Sequence, residues 1–382
     1  MIPVDVIAYF ADDRTRAYQL LQWLPVLELL ADSHTVGIVT RDPEVTTLVR
    51  GRTDVPVHEA VEFPELMALY EHLDPAVVLY CNNGMSNFQS LLNGRMLHVH
   101  INHGESDKHS MLSNNAKAYD RVFVAGEAAV QRHETGLMEF DLSKLVRVGR
   151  PQLDLQIEPL LAPSGRRTVL YAPTWEGDAD YNDYTSIDVF GPEIARAVLA
   201  VPDVRLIYKP HPKVATSQTP AVRTGHERIL AIVEEAGRRD PGAGHRAICQ
   251  GDILAVFPGC DAMITDVSSV GLDWLYLQTD KPIFITDRHN DGERLRTDVP
   301  VSRCADVVDS AALADLTDLV AERLLHDEHR IARAAMRHHY FDDLGVGDST
   351  ARFLEEVGGL VRLRAELIGV ERLDTDQGAA TA

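Results

Sequence analysis

Two stretches place histidines where they could do chemistry. The run "LHVHINHGESDKHS" (97–110) sets His98, His100, His103 and His109 within twelve residues. A strand pattern puts His98 and His100 on one face, where they read as core histidines meeting local hydrogen bonds. His103 falls just past the strand end beside Gly104, a glycine expected to admit a close ligand or a positive φ. An imidazole titrates near pH 6.5, so His103 suits a general base. The spacing of the four histidines matches no familiar zinc pattern.

In "VRLIYKPHPKV" (204–214), an apolar strand runs into Lys209 and then into His211, held between Pro210 and Pro212. Each proline fixes its own φ and drives the preceding residue to extended geometry, so the imidazole is aimed. A stiff donor suits a site where charge must be met without reorganisation.

A third stretch, "DAMITDVSSVGLDWLYLQ" (261–278), reads as a strand followed by a helix. Asp266 is the expected N-cap, with the helix beginning near Ser268. The first helical amides lack internal partners and the helix dipole is positive there. With the Ser268 and Ser269 hydroxyls, they make an anion site. Asp273 follows Ser269 by four residues, on the same helix face, and could accept from ribose hydroxyls. In "VLYAPTWEGD" (169–178), Thr174 could donate to a phosphate oxygen and Trp175 could anchor a domain interface. Together these residues fit phosphate chemistry. Lys209, His211 and the serine-capped helix end hold a pyrophosphate, and His103 supplies a base from the other domain. No G-x-x-x-x-G-K-[ST] or G-x-G-x-x-G motif occurs, so neither an ATPase nor a dinucleotide dehydrogenase is supported.

The elements that must position these residues alternate between strand and helix. Strands are expected at "VDVIAYF", "HTVGIVT", "AVVLYC", "MLHVHI", "RVFVAG" and "LVRVG", and again at "TVLYAPTW", "VRLIYKP", "RAICQ", "AMITD" and "KPIFITD". Such alternation implies parallel sheets covered by helices on both faces. Pro25 should kink or interrupt the first long helical pattern. The aperiodic "LLAPSGRRT" (160–168) reads as an inter-domain linker. The expected division is an N-terminal Rossmann-like domain over 1–160 and a second over 161–345. A C-terminal helix follows at 346–372 and a disordered tail at 373–382. Ligands in such sheets bind at strand carboxyl ends, which makes a cleft between the two domains the default site.

The totals agree with this division. The chain has 382 residues, 45% of them hydrophobic and 25% charged, which suits two ordinary globular domains. A net charge of −21 argues against nucleic acid or an anionic membrane as a general partner. The four cysteines show no C-x-x-C pair and read as buried reduced thiols. No apolar run approaches the ~20 residues of a membrane span, and the N-terminus lacks signal-peptide features. The chain thus reads as cytoplasmic, with at most peripheral contact at the inner face of a membrane.

The motifs "HG" after a strand, "VGRPQLD", "YAPTW", "KPHP", "ITDVSSVGLDW", "KPIFI" and "FDDLGVGDSTARFLEEV" occur in that order between Leu97 and Val357. In this set the chain resembles the CDP-glycerol glycerophosphotransferases, the teichoic-acid primases and polymerases. The resemblance implies an α/β GT-B fold, with two doubly wound Rossmann-like domains and a C-terminal helix crossing back to the first. It implies metal-independent transfer of an alditol phosphate from a CDP-alditol, without a cofactor, to an acceptor hydroxyl, with release of CMP. By position it makes His103 the base and His211, Ser268, Ser269 and Thr174 the pyrophosphate ligands. Asp273 would face the nucleotide, and Arg288, Arg294 or Arg296 would supply an arginine near the donor. The family's Thr-Pro-Leu-Lys after "HG" is Glu105-Ser106-Asp107-Lys108 here, and Val267 stands where the family has tyrosine. The acceptor hydroxyl is expected on a glycopolymer, a lipid-linked primer or a soluble primer, and these departures and the acidic charge make a soluble acceptor or a small primer more credible. A homo-oligomer is compatible with the sequence. The rival readings are a GT-B glycosyltransferase, a nucleotide-sugar 2-epimerase and a non-catalytic nucleotide-binding protein.

Overall fold

The computed structural model describes residues 4–108, 111–177 and 179–379, from 370 onward by backbone alone. The chain divides into two units. Unit 1 comprises the chain up to Gly104, Leu112–Leu155 and the chain from Phe341, and unit 2 comprises Glu105–Met111 and Gln156–Tyr340.

In unit 1, seven parallel strands lie in the order β3-β2-β1-β4-β5-β6-β7. They are β1 (Val6–Phe10), β2 (Val36–Thr40), β3 (Val57–Glu59), β4 (Val77–Tyr80), β5 (Leu97–His100), β6 (Arg121–Val124) and β7 (Leu145–Arg147). Strands β1 and β4 are buried at every position because both faces are covered. Along β1, Val6, Ala8 and Phe10 enter one core while Ile7 and Tyr9 enter the other, as the two-residue period requires. The first helical pattern splits into Tyr18–Leu21 and Leu24–Ala31, with Pro25 in the opening turn of the second helix. There its missing N–H costs no intrahelical bond.

The C-terminal helix, Asp348–Ala379, belongs to this unit. Its residues Phe353, Val357 and Leu360, spaced for one helix face, are buried in the same core as Val6 and Leu27. Phe353 packs on Trp23 at 5.2 Å and edge-on to Phe123 at 5.9 Å. The backbone N–H of Thr350 donates to Asp154 Oδ2 at 2.7 Å. Gly149 makes the approach possible, because a Cβ there would stand 2.1 Å from Ser349 Oγ. The tail expected at 373–382 falls where no side chain is described, and 380–382 lie outside the described residues.

Unit 2 repeats the winding. Its six parallel strands lie in the order β10-β9-β8-β11-β12-β13. They are β8 (Arg167–Ala172), β9 (Val204–Tyr208), β10 (Arg246–Ala247), β11 (Ala262–Thr265), β12 (Ile283–Thr286) and β13 (Asp306–Val308). The stretch 160–168 is not a free linker. Leu160 N donates to Ala255 O at 2.8 Å, Leu161 is buried, and Arg205 Nη1 donates to Ala162 O at 3.0 Å. The chain leaves unit 1 earlier, between Leu155 and Gln156.

Strands β3 and β13 escape the sequence pattern. Both are three-residue edge strands, paired on one side only, and neither needs a continuous apolar run. Cys81, Cys260 and Cys304 are buried and Cys249 is half-buried, all four as free thiols. Burial pushes the Cys260 and Cys304 thiols up to about 12, which keeps them protonated and unreactive. Among the described residues no helix is long and apolar enough to cross a membrane.

Candidate functional site

Strands β8 and β11 are neighbours in unit 2, yet the chain leaves them toward opposite sides of the sheet. Their carboxyl ends therefore form a topological switch point, where open α/β sheets bind ligands. Pro173 and Thr174 continue β8, and Asp266, Val267 and Ser268 continue β11.

Asp266 is not the helix cap that the sequence pattern suggests. It is fully buried, and its Oδ2 accepts the backbone N–H of Thr174 at 2.7 Å while its Oδ1 accepts Thr286 Oγ1 at 2.6 Å. It ties together the ends of β8, β11 and β12 and has no surface to offer a phosphate. Burial raises its pKa to about 6.

The N-cap position is Ser268, in extended geometry, and the helix runs Ser269–Leu277. The Ser268 side chain makes no capping bond, and its buried Oγ has no hydrogen-bond partner among the described residues. The first-turn amides and this hydroxyl form a donor set that an anion would complete. Asp273 lies within the helix and is 5% exposed, one of a run of buried residues from Gly271 to Tyr276.

His211 follows β9. Its backbone N–H donates to Pro173 O at 3.0 Å, which fastens the proline-flanked turn to the β8 end. Its Nδ1 accepts the backbone N–H of Lys213 at 3.2 Å. A backbone amide can only donate, so Nδ1 holds a lone pair and the neutral ring carries its proton on Nε2. Trp175 packs against the ring at 6.1 Å, and Lys213 Nζ stands 3.7 Å from the Trp175 centroid. Lys209 is buried and forms no ion pair among the described residues, and burial lowers its pKa.

Thr174, also buried, accepts at Oγ1 from Lys108 Nζ at 3.2 Å. Lys108 is absent from the residues singled out in the sequence. It stands in the segment Glu105–Met111, which belongs to unit 2 although the strand before it belongs to unit 1. Its retention within an otherwise altered "HG" continuation is the one sequence signal that marks it.

The three arginines separate. Arg288 is engaged inside unit 2, with Nη1 donating to Asp183 at 2.9 Å and to Thr185 O at 2.7 Å and Nη2 to Asp188 at 3.2 Å. Two carboxylates already match its charge, so it stiffens the 183–188 loop and is not a ready anion ligand. Arg294 and Arg296 are exposed on the short helix Gly292–Asp298, Arg294 beside Asp298 at 3.3 Å.

In unit 1, His103 follows the end of β5. The left-handed backbone expected at Gly104 sits instead at Asn102, with φ 52°. Asparagine tolerates that conformation, and Asn102 Oδ1 accepts the His103 backbone N–H at 2.8 Å. Trp23 Nε1 donates to Asn102 O at 2.6 Å and so anchors the turn to the core. The His103 ring pairs with Cys81 O through Nδ1 at 3.2 Å, with Tyr18 edge-on at 6.0 Å. A carbonyl can only accept, so Nδ1 carries the proton and the basic lone pair is on Nε2. His98 bonds Tyr80 OH and Asn93 O, both at 2.8 Å, and His100 stacks on Tyr119. Burial pushes the His100 pKa down to about 3. Both are core residues. Among the described residues none of these histidines joins two other potential metal ligands; His109 lies outside them.

Two parallel sheets, each wound outward from its first strand, define a GT-B-like α/β transferase. Residues 96–295, just over half of the chain, match the family model described as CDP-Glycerol:Poly(glycerophosphate) glycerophosphotransferase, and the chain belongs to that family. No curated protein matches it by sequence. Solved structures share its fold. The UDP-GlcNAc 2-epimerase from Neisseria meningitidis bound to UDP-GlcNAc is 13% identical with TM-score 0.57, over 92% of this chain and 99% of that one. A glycosyltransferase from Rickettsia africae is 12% identical with TM-score 0.58, over 94% and 99%. The wall teichoic acid polymerase TagF soaked with CDPG is 12% identical with TM-score 0.55, over 94% and 89%. At these identities the likeness is one of fold.

Proposed function

We propose that this chain transfers glycerol phosphate from CDP-glycerol to an acceptor hydroxyl, releasing CMP, in the synthesis of a cell-wall glycopolymer. The observation that carries the reading is that Nδ1 faces a carbonyl in His103, that of Cys81, and a backbone N–H in His211, that of Lys213. In the neutral rings this puts the lone pair of His103 and the proton of His211 on Nε2. One suits a base and the other suits a phosphate ligand.

In the proposed step, His103 Nε2 takes the acceptor hydroxyl proton as the oxygen attacks the β-phosphorus. The bond from that phosphorus to the bridging oxygen breaks, and CMP leaves with the electron pair. His211 Nε2–H, Lys209, the Ser268 and Ser269 hydroxyls and the helix amides meet the charge that gathers on the diphosphate. These donors are all protein groups, so the reading calls for no metal and no cofactor. The acceptor hydroxyl belongs to a glycopolymer or to a primer, soluble or lipid-linked.

Incubation with CDP-glycerol, CDP-ribitol and UDP-sugars tests the reading. The expected result is acceptor-dependent CMP release from CDP-glycerol, undiminished by chelator. UDP release from a UDP-sugar, with no CMP from either CDP-alditol, would point to the glycosyltransferase or epimerase rival. Tight CDP-glycerol binding without turnover on any acceptor would point to a binding protein.

A further inference from the structure

The segment after His103 is built into unit 2 by its own side chains. Asp107, buried, accepts a hydrogen bond from the hydroxyl of Tyr340, which is itself fully buried and accepts the Val301 backbone N–H at 3.2 Å. Ser106 Oγ accepts the backbone N–H of Lys108 at 3.1 Å. The Lys108 ammonium then reaches Thr174 Oγ1 at 3.2 Å, beside the switch point, and lies 5.7 Å from the Tyr184 ring centroid.

Two carboxylates act on this ammonium, and both are otherwise committed. Asp266 accepts from Thr174 and Thr286, and Asp183 is paired with Arg288. Among the described residues Lys108 forms no ion pair. A desolvated cation held by a hydroxyl and the face of a ring, with no carboxylate paired to it, is costly, and an anion at the switch point would offset that cost. We propose that Lys108 is a donor-phosphate ligand, meeting the diphosphate of the bound nucleotide beside Thr174, and that Tyr340 is a positioning residue acting through Asp107.

Burial holds the Lys108 pKa down to about 8. A bound diphosphate favours the charged form, so CDP binding should take up protons above about pH 8 and weaken as pH rises further. Tyr184 is raised by burial and does not titrate in that window. Lys209 is also held low, so variants must separate the two lysines.

The test is calorimetry with CDP from pH 7 to 9.5, in two buffers of different ionisation enthalpy, on the full chain and on Lys108→Met. We expect about 10- to 100-fold weaker CDP binding at pH 7 in Lys108→Met, the scale of one lost charge-assisted hydrogen bond. Proton uptake at pH 8.5 should fall in parallel. In the unsubstituted chain, CDP should protect Lys108 from acylation, read by mass spectrometry, and this does not depend on how the variant folds. Equal labelling of Lys108 with and without CDP overturns the proposal. So does an unchanged affinity and proton uptake in Lys108→Met.

The inference rests on unit 2 being the CDP-donor site, but it fails separately from the transferase reading. Lys108-dependent CDP binding without CMP release would remove the transferase alone. CMP release with Lys108→Met matching the parent in CDP affinity would remove Lys108 alone.

Discussion

Asp266 Oδ2 accepts the backbone N–H of Thr174 at 2.7 Å, joining the ends of two central strands whose residues are 92 positions apart. The carboxyl is fully buried, and its pKa rises to about 6 from an ordinary 3.8. Between about pH 4 and 6 the folded chain therefore holds a proton that the unfolded chain has released. Stability from this group is present in full below about pH 4 and declines as pH rises to 6, by about 3 kcal/mol. The stability of the parent relative to Asp266→Asn should thus increase as pH falls from 7 to 4. Chemical denaturation of both proteins at each pH measures it, and a pH-independent difference would refute the buried charge.

His103→Ala should lower turnover by about 10²–10⁴-fold, the usual worth of a general base. CDP binding should be unchanged, because the proposed donor ligands are in unit 2. Single-turnover kinetics and calorimetry on the same preparation separate the two effects. A parent-like rate would remove His103 from the chemistry.

His211→Ala should weaken CDP binding and slow turnover together, since a donor aimed at developing charge acts in both states. Loss of one such donor costs about 10²–10³-fold in rate. His211→Gln, which keeps an N–H, should recover part of the loss. A variant altered in neither constant would leave the proline-flanked turn with a purely structural role.

The C-terminal helix should be integral to unit 1. Phe353→Ala removes a fully buried ring from between Trp23 and Phe123, and should cost about 3–5 kcal/mol. Gly149→Ala should be similarly severe, because φ is 76° there and the new methyl would overlap Ser349 Oγ and Leu344. Thermal melts of both variants check this. Melting temperatures within 2 °C of the parent (about the shift a fraction of a kcal/mol produces) would contradict the packing described.

Much of the fold is legible in the chain because parallel strands covered on both faces are mostly apolar. The runs "VIAYF", "VVLY" and "AMIT" are buried at every residue. Edge strands β3 and β13 lack that requirement and leave no pattern. The positions of His103, His211 and Ser268 just past strand ends follow from local sequence, since strand length and proline geometry are local properties.

What each residue does there is another matter. A short acid before a helix reads as a cap, and only the fold shows Asp266 turned inward to Thr174 and Thr286. Arg288 reads as a free cation until Asp183 and Asp188 are brought against it. The proton positions on His103 and His211 depend on which backbone group faces Nδ1, and for His103 that carbonyl is 22 residues away. Lys108 meets Thr174 across 66 residues, a contact no local pattern encodes. The sequence by itself determined the parallel α/β architecture, the family and the strand ends at which chemistry is placed, because these rest on short-range periodicity and motif order. The tertiary structure alone decided which polar groups are committed to the scaffold. Hydrogen-bond partners at a switch point come from strands far apart in the chain.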